Sequence, residues 1–250
     1  MTGRREVPVP GSCACFFDID GTLVAIGPSP IRVRVDRGLR RALERLHAST
    51  GGAVALITGR SLADVDRLFP GNRLPAAGQH GVERRSATGR VSRHRFPAHR
   101  LDTARHRLAD IVARSPGLRL EDKGLSLALH YRGAPRLGGY AHRVARTLVA
   151  RLGASYCVQS GKRVVEIRPG GKDKGQAIRE FMAERPFRGR TPLFLGDDAT
   201  DEYGFAMVNR LGGCSIKVGP GPTTARWRLR NVAAVRSWLL DGRATPKATR

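Results

Sequence analysis

The chain is short of several residue types, and each shortage argues against a class of protein. It has 250 residues but only four cysteines, which lie too far apart for a disulfide framework and favour buried reduced thiols. No apolar run approaches the about 20 residues that a membrane span requires. Aromatic residues make up only 6% of the chain and follow no pattern typical of a base-stacking surface. We therefore expect neither a disulfide scaffold nor a membrane protein, and aromatic content gives no support to nucleic acid as a partner.

Acidic residues are also scarce, and the resulting charge is strongly positive. The 21 Asp and Glu residues face 45 Lys and Arg residues, which gives a formal net charge of +24. Only six of the basic residues are lysines. Such an excess indicates an anionic partner, such as nucleic acid, a membrane surface or a phosphorylated small molecule. Arginine scattered by codon bias explains the same excess equally well.

The two ends of the chain carry no predicted secondary structure. The N-terminal segment has no apolar stretch long enough for a signal peptide. Together with the expected reduced thiols, this favours a cytoplasmic protein. Residues 241–250 include Arg243, Lys247 and Arg250 and are expected to form a disordered basic tail.

Short apolar runs alternate with helical patterns in the first and last parts of the chain. This alternation predicts a parallel sheet covered by helices on both faces. In such a sheet the ligand lies beyond the carboxyl ends of the strands. The predicted elements are, in chain order, a strand at 13–17, a helix at 37–47, a strand at 53–57, helices at 62–69 and 174–184, a strand at 192–195 and a helix at 201–210.

The middle of the chain follows a different order of elements. Helix, two strands, helix and two strands indicate an antiparallel α+β domain inserted into the parallel one. We expect a discontinuous core of residues 1–96 and 169–250 and an inserted domain of residues 97–168. The predicted elements are a helix at 98–113, strands at 118–122 and 125–132, a helix at 139–152, and strands at 155–159 and 163–168 that turn at Ser160-Gly161.

Two aspartates directly follow the first predicted strand. Asp18 and Asp20 are separated by one residue and precede Gly21, which permits a tight turn. A carboxylate at the first position is suited to attack phosphorus, and one at the second is suited to protonate the leaving oxygen and later activate water. An isolated Asp-x-Asp in a loop is more often a turn or a helix cap. The apolar strand before this pair favours catalysis, with Asp18 as nucleophile and Asp20 as acid and base.

Two further segments are suited to hold a phosphoryl group. Thr58 and Gly59, followed by Arg60, stand between a predicted strand and a predicted helix, where a hydroxyl and a backbone N–H bind phosphate oxygens. The alternative is that Thr58 merely caps the helix. Lys174 opens another predicted helix, and its ammonium would reduce the repulsion between a carboxylate and a phosphate. Lys172 is the alternative for that role.

Four acids lie close together after the last predicted strand. Carboxylates are hard ligands that bind Mg²⁺ together with water and a substrate phosphate. Asp197 is the first predicted ligand, and Asp201 would support it or orient a metal-bound water. Asp198 and Glu202 are alternatives as helix caps. An acidic helix N-terminus, favoured by the helix dipole, explains part of this cluster but not all of it.

Six stretches of the chain together resemble a known superfamily. They are DIDGTL at 18–23, ITGR at 57–60, GQHGVE at 78–83, EDKGLSLALHYR at 121–132, GKRVVEIRP at 161–169 and GDDATDE at 196–202. In this order they resemble the haloacid-dehalogenase-like phosphohydrolases, and over nearly the whole chain the trehalose-6-phosphate phosphatase family. The resemblance implies a Rossmann-like three-layer core with an αββαββ cap. It also implies Mg²⁺ held by Asp18, the backbone oxygen of Asp20, and Asp197.

The substrate prediction depends on polar residues of the inserted domain. The resemblance implies that Glu121, Lys123 and Glu166 recognise the sugar. From the residues alone, strand alternation puts Lys162, Glu166 and Arg168 on one face of a predicted strand. Such a face suits a polyhydroxyl ligand, because carboxylates accept hydrogen bonds from hydroxyls and cations donate them. A solvated strand face is the alternative.

The core side of the same cleft is predicted to carry Gln79, His80 and Glu83, although His80 is equally a loop histidine. The resemblance implies a Mg²⁺-dependent phosphatase of trehalose biosynthesis that hydrolyses trehalose 6-phosphate. The alternatives are a phosphatase for sucrose 6-phosphate or a glucosyl-polyol phosphate, and a polyanion-binding protein on the same scaffold. Because every acid that the catalysis requires is present, we expect a small sugar phosphate rather than nucleic acid as the partner.

Overall fold

The computed structural model describes residues 12–27, 33–71, 73–241 and 246–249. Within these residues the chain forms thirteen strands and seven α-helices. The strands are β1 (Cys13–Phe17), β2 (Val54–Ile57), β3 (Ala76–Gly78), β4 (Glu83–Arg85), β5 (Val91–Arg93), β6 (Arg119–Asp122), β7 (Leu127–His130), β8 (Tyr156–Gly161), β9 (Val164–Pro169), β10 (Thr191–Gly196), β11 (Cys214–Val218), β12 (Trp227–Leu229) and β13 (Lys247–Ala248). The helices are α1 (Arg37–Ser49), α2 (Leu62–Leu68), α3 (Leu101–Ala113), α4 (Gly138–Leu152), α5 (Lys174–Met182), α6 (Asp201–Arg210) and α7 (Val232–Asp241).

The chain divides into two compact units. One unit comprises Met1–Ser92 and Asp173–Arg250, and the other comprises Arg93–Lys172. A nine-stranded sheet has the order β13-β12-β11-β10-β1-β2-β3-β4-β5, and a four-stranded sheet has the order β6-β7-β9-β8. That the two units act as a catalytic core and a cap stays a prediction.

Strand β1 runs through the middle of the large sheet, and its alternate side chains serve two apolar layers. Phe17 belongs to a buried cluster that includes Leu43 of α1, together with residues of α2 and α7. Phe16 belongs to a second buried cluster with Phe181 of α5 and with residues of α6, and the two ring centroids are 6.0 Å apart. Because successive strand residues project to opposite faces, helices cover both faces of the sheet. This confirms the predicted α/β core with three layers.

Capping side chains set where two site-bearing helices begin. The Ser61 side chain accepts a hydrogen bond from the backbone N–H of Asp64 at 3.1 Å, which makes Ser61 the N-cap of α2. The Asp173 side chain accepts one from the N–H of Gln176 at 2.8 Å, which makes Asp173 the N-cap of α5. Such caps satisfy N–H groups that have no partner within the helix. Lys174 is therefore the first residue of α5.

The second unit has the predicted αββαββ order. Its helices α3 and α4 contribute Leu108 and Leu148 to an apolar cluster with Leu129 of β7 and Ile167 of β9. The four strands pair antiparallel throughout. The helices therefore pack against one face of the small sheet, and the inserted α+β domain of the predicted fold is confirmed.

The predicted turn between β8 and β9 is wrong. Residues 160–161 belong to β8, where Gly161 pairs with Val164, so the turn consists of Lys162 and Arg163. A Ser-Gly pair favours a turn, but here Ser160 and Gly161 are the last two residues of β8 and both pair with β9. The residue with a left-handed backbone in the turn is Arg163, whose φ is 63°. Lys162 is exposed in this turn, so strand alternation does not place it on the face that carries Glu166.

The expectation of a disordered tail is wrong for Lys247 and Ala248. These residues form β13 and pair antiparallel with Arg228 and Trp227 of β12, because an edge strand offers unpaired backbone groups. Arg243 and Arg250 lie outside the described residues, as does the segment 1–11 on which the signal-peptide expectation depends. In the described ranges, no helix combines the length and apolar character that crossing a membrane requires.

Candidate active site

The carboxyl ends of three neighbouring strands meet at one edge of the large sheet. Phe17, the last residue of β1, lies opposite Leu195 of β10 and Leu56 of β2 in parallel pairing. Polar residues follow directly after all three strands. Ligands of parallel α/β sheets bind at this edge. The register therefore brings to the same edge the predicted residues Asp18, Thr58 and Asp197.

Lys174 joins two of the predicted acids. Its Nζ donates hydrogen bonds to Asp18 Oδ1 at 2.8 Å and to Asp201 Oδ1 at 2.7 Å, and all three side chains are buried. Lys172, the alternative cation, belongs to the other unit, where its backbone oxygen accepts a hydrogen bond from Arg168 at 2.6 Å. The structure thus brings Lys174 together with the acids.

This cluster contains three acids, Asp18, Asp197 and Asp201, and one base, Lys174. Burial raises the pKa of Asp18 well above its ordinary value; Lys174 opposes this, and Asp201 and Asp197 add to it. Burial by itself would lower the pKa of Lys174, but attraction to Asp18 and Asp201 raises it above its ordinary value, so the ammonium stays charged. Carboxylate oxygens of Asp18, Asp197 and Asp201 lie within 4.8 Å of one another. This buried set of hard oxygen donors fits a divalent cation.

Asp201 also holds the loop that follows β10. Its Oδ2 accepts hydrogen bonds from the backbone N–H groups of Asp197 at 2.9 Å and Asp198 at 2.8 Å. Since Oδ1 accepts from Lys174, both oxygens of Asp201 are engaged by protein donors. This arrangement favours a supporting role for Asp201, behind Asp18 and Asp197.

The loop after β1 makes a close turn over the second acidic segment. The backbone oxygen of Ile19 accepts hydrogen bonds from the N–H of Leu23 at 2.9 Å and of Val24 at 3.0 Å. Gly21 has a φ of +87°, and a Cβ at this position would lie 2.2 Å from Asp197 Oδ2. Glycine is therefore required both by the left-handed backbone and by the close approach of the carboxylate.

Asp20 forms a bidentate ion pair with Arg60. Arg60 Nε donates to Asp20 Oδ2 and Nη2 donates to Asp20 Oδ1, each at 2.6 Å. The Arg60 side chain is buried, whereas that of Asp20 is 34% exposed. The structure therefore places Arg60, a predicted substrate-binding residue, against the predicted general acid, which stays open to an incoming ligand.

Thr58 is buried at the end of β2 and does not cap α2. Its Oγ1 accepts a hydrogen bond from the N–H of Arg60 at 3.1 Å, and its own N–H donates to Ala77 at 2.9 Å. The helix cap is Ser61, so the capping alternative for Thr58 is wrong. The hydroxyl keeps its own hydrogen for donation, which is what a phosphoryl oxygen requires.

The segment after β3 contacts the residues between β2 and α2. Glu83 Oε1 accepts from the N–H of Leu62 at 2.7 Å and from Gln79 Nε2 at 3.3 Å. Gln79 and His80 have φ values of 45° and 58°, a conformation that is uncommon outside glycine. The His80 imidazole lies so close to Gly59 that a Cβ there would approach it within 2.8 Å. The structure brings all three predicted residues of this segment beside 58–60, with Glu83 holding the turn.

A family model described as trehalose-phosphatase matches residues 16–233 of this chain. The chain belongs to the trehalose-phosphatase family. A curated relative from Escherichia coli (strain K12), named trehalose-6-phosphate phosphatase, is 46% identical over 226 residues, which cover 90% of this chain and 85% of that protein.

Solved structures share the fold of this family member. The C-terminal domain of a C. albicans trehalose-6-phosphate phosphatase has a TM-score of 0.81 at 23% identity and covers 90% of each chain. A structure described as a trehalose-6-phosphate phosphatase related protein has a TM-score of 0.73 at 29% identity and covers 90% of this chain and 94% of that one. The first likeness supports the fold alone, because its identity is low.

The second unit of this trehalose-phosphatase family member brings together two predicted sugar-binding acids. Ala128 of β7 lies opposite Glu121 of β6 and opposite Glu166 of β9. Cross-strand partners share a face of the sheet, so both carboxylates flank this small residue on one face. Glu121 Oε2 is 2.7 Å from His130 Nε2. Burial raises the pKa of Glu121, but the His130 hydrogen bond and the charge of Lys123 lower it by more, so this carboxylate stays ionised.

Glu166 is buried and held by two donors. Ser126 Oγ donates to Oε1 at 2.5 Å, and Lys123 Nζ donates to Oε2 at 3.2 Å. Arg168 projects to the same face of β9, but its guanidinium donates to the backbone oxygens of Pro169 at 3.2 Å and Lys172 at 2.6 Å. Glu121, Lys123 and Glu166 thus lie together, whereas Arg168 holds the segment that follows β9 and Lys162 is in the exposed turn.

Further residues contact the predicted ones: Ser126 and His130, which strand alternation puts on the polar face of their predicted strand, and Lys217, which was not predicted. Ser126 and His130 bond to the two acids of the second unit. Lys217 of β11 donates from Nζ to the backbone oxygen of Asp197 at 2.7 Å. The first two contacts depend on pairing between strands, which local patterns do not show. The scarcity of lysine was a signal that could have identified Lys217.

Proposed function

We propose that this protein is a Mg²⁺-dependent phosphatase that hydrolyses trehalose 6-phosphate to trehalose and phosphate. The observation that carries the proposal is the buried Lys174 ammonium bound to Asp18 and Asp201 at the carboxyl edge of the sheet. The family membership and the name of the Escherichia coli relative support the substrate.

The acidic cluster supplies the oxygen ligands that Mg²⁺ prefers. Asp18 and Asp197 would provide carboxylate oxygens, and the loop after β1 would provide the backbone oxygen of Asp20. Asp201 would hold Asp197 and Lys174 in place through the hydrogen bonds described above. When bound, Mg²⁺ would neutralise negative charge on the substrate phosphate.

Asp18 is proposed as the nucleophile. Its ionised oxygen attacks phosphorus, a new bond to phosphorus forms, and the bond from phosphorus to the sugar oxygen breaks with its electrons on that oxygen. Asp20 gives its proton to the leaving oxygen. Water then attacks the aspartyl phosphate, Asp20 takes the proton of that water, and phosphate leaves with Asp18 restored. Lys174 favours the ionised form of Asp18 and, with the Thr58 hydroxyl, holds the phosphoryl oxygens.

Arg60 imposes a condition on the proton transfer. Both Asp20 oxygens accept from the guanidinium in the structure. An oxygen engaged in this way does not carry the proton for the leaving group. We infer that one of these hydrogen bonds is given up when substrate enters, and that Arg60 then fixes the remaining Asp20 oxygen.

The two units would have different roles in the reaction. The unit of Met1–Ser92 and Asp173–Arg250 would form the catalytic core, and the inserted unit Arg93–Lys172 would act as a cap that recognises the sugar. Glu121 and Glu166 accept hydrogen bonds from sugar hydroxyls, and Lys123 donates to them.

Phosphate release from trehalose 6-phosphate tests the proposal. We expect turnover with Mg²⁺ and its loss with EDTA, with sucrose 6-phosphate and a glucosyl-polyol phosphate hydrolysed at lower kcat/KM. Preference for another sugar phosphate would overturn the substrate and leave the chemistry intact. Activity that persists in EDTA would contradict the metal dependence.

The variant Asp18→Asn tests the nucleophile. It should lower turnover by at least about 1,000-fold with the thermal transition retained. Asp110→Asn, which changes an exposed aspartate of α3, should keep normal activity. Substantial phosphate release by a folded Asp18→Asn protein would refute the mechanism.

A further inference from the structure

Lysine is so rare in this chain that its buried occurrences are informative. There are 39 arginines and only six lysines. The two buried lysines in the described ranges are Lys174, 3% exposed, and Lys217, 5% exposed. Arginine is usually the better cation for buried contacts, because its charge is delocalised and weakly hydrated. A lysine at a buried position of this chain therefore indicates a place that requires a compact ammonium.

Lys217 lies directly beside the second acidic segment. It belongs to β11, which pairs parallel with β10, and it lies opposite Gly196, the residue before Asp197. Its Nζ donates to the backbone oxygen of Asp197 at 2.7 Å. Within the part of the chain that the structure describes, this is the one hydrogen bond recorded for that ammonium.

The contact completes a backbone clamp on Asp197. The N–H of Asp197 donates to Asp201 Oδ2 at 2.9 Å, while its carbonyl oxygen accepts from Lys217 at 2.7 Å. The peptide groups on both sides of the Asp197 Cα are therefore fixed by buried charged side chains. Because the backbone dihedrals set the direction of the Cβ and restrict the side-chain rotamers, this clamp limits the directions in which the Asp197 carboxylate can point.

We propose that Lys217 is a positioning residue that orients Asp197 for the divalent cation. This inference rests on the proposed function, in which Asp197 is a Mg²⁺ ligand. Two effects of the ammonium have opposite signs: its charge repels the cation, whereas its hydrogen bond orients the ligand. Outer-shell partners of metal ligands contribute about 10- to 100-fold to metal affinity, so the orienting effect outweighs the repulsion.

Titration calorimetry of Mg²⁺ binding in the absence of substrate tests whether Lys217 strengthens or weakens Mg²⁺ affinity. Lys217→Met removes both the charge and the donor, and we expect it to weaken Mg²⁺ binding by about 10-fold or more. The matched control is Lys247→Met, which changes an exposed lysine of β13 and should bind Mg²⁺ like the wild type. Unchanged or tighter Mg²⁺ binding by folded Lys217→Met would overturn the proposal.

The variant Lys217→Arg keeps the charge but replaces the compact ammonium with a wider planar group. We expect it to fold and to bind Mg²⁺ more weakly than the wild type, and it decides the question if Lys217→Met does not fold. Wild-type affinity in Lys217→Arg would, in that case, overturn the proposal. In activity assays the Mg²⁺ concentration for half-maximal phosphate release should rise by the same factor, with KM for the sugar phosphate little changed.

The wild type separates this inference from the proposed function. If it binds no Mg²⁺, the proposed metal dependence fails and this inference fails with it. If it binds Mg²⁺ and folded Lys217→Met binds equally well, only the role of Lys217 is refuted.

Discussion

Gly21→Ala should lower the catalytic rate about 100-fold while the protein still folds. The glycine has a φ of +87°, and an added Cβ would lie 2.2 Å from Asp197 Oδ2. Left-handed backbone with a Cβ costs about 1–2 kcal/mol. The contact also has to lengthen by about 1 Å to reach the shortest distance that real side chains tolerate. The Asp197 carboxylate moves more readily than the Asp197 backbone, since the N–H and the carbonyl oxygen of Asp197 are both hydrogen-bonded.

The expected effects follow from these two changes. A displacement of about 1 Å at a catalytic group lowers the rate about 100-fold, which corresponds to about 2.7 kcal/mol of lost transition-state stabilisation. The backbone strain lowers Tm by about 2–8 °C in a protein of this size. The measurements are kcat/KM for trehalose 6-phosphate at saturating Mg²⁺ and the thermal unfolding transition.

Gly89→Ala is the matched control. Gly89 has a φ of +82°, and an added Cβ would meet nothing within 4 Å. This variant carries the same backbone strain without the contact, so its Tm should fall by a similar amount while its activity stays normal. Activity of Gly21→Ala within about threefold of the wild type would refute the reasoning, as would an equal loss in both variants.

Two further variants test a sugar-side contact and a helix cap. Ser126→Ala removes the donor to buried Glu166, so we expect a loss of about 1–3 kcal/mol in stability and a raised KM with little change in kcat; an unchanged KM in initial-rate measurements would contradict a binding role for Glu166. Asp36→Ala removes the N-cap of α1 and should lower stability by about 1 kcal/mol and Tm by about 2–4 °C. Because hydrogen bonds from the Leu39 N–H and from Arg236 lower the pKa of Asp36, the part of this contribution that depends on the ionised carboxylate is complete above about pH 4 and is lost as pH falls through the lowered pKa. The difference in Tm between the wild type and Asp36→Ala should therefore shrink in acid, and a difference of unchanged size there would contradict the contribution of the ionised carboxylate.

Elements with a long or uninterrupted pattern were predictable from the sequence. Strand β1 and helix α6 have the predicted bounds, because five consecutive apolar residues and a regular helical spacing leave little choice. Strands β3, β4 and β12 have three residues each and were not predicted, since so short a run shows no period. In β11 the polar Ser215 and Lys217 interrupt the apolar pattern although both are buried. Pairing with neighbouring strands, rather than local sequence, makes these segments extended.

Some residues of the candidate site were also predictable from local sequence, whereas contacts between them were not. Asp18, Asp197 and Lys174 were identified from their own neighbourhoods, because each stands at the end of a strand or the start of a helix. Arg60, which was predicted to bind substrate, lies against Asp20, a contact between two loops that no local pattern contains. The bond from Ser126 to Glu166 likewise depends on which strands become neighbours.

The pairing of β1 with β10 has a consequence for how this architecture accommodates change. Phe17 lies opposite Leu195, so the chain between them, including the whole of Arg93–Lys172, forms a closed loop. The entropy of closing a flexible loop grows only with the logarithm of its length, by about 0.6 kcal/mol per doubling. An insert that folds around its own apolar cluster closes at a lower entropic cost than a flexible segment of equal length. The parallel sheet can therefore carry inserts of very different size at this point.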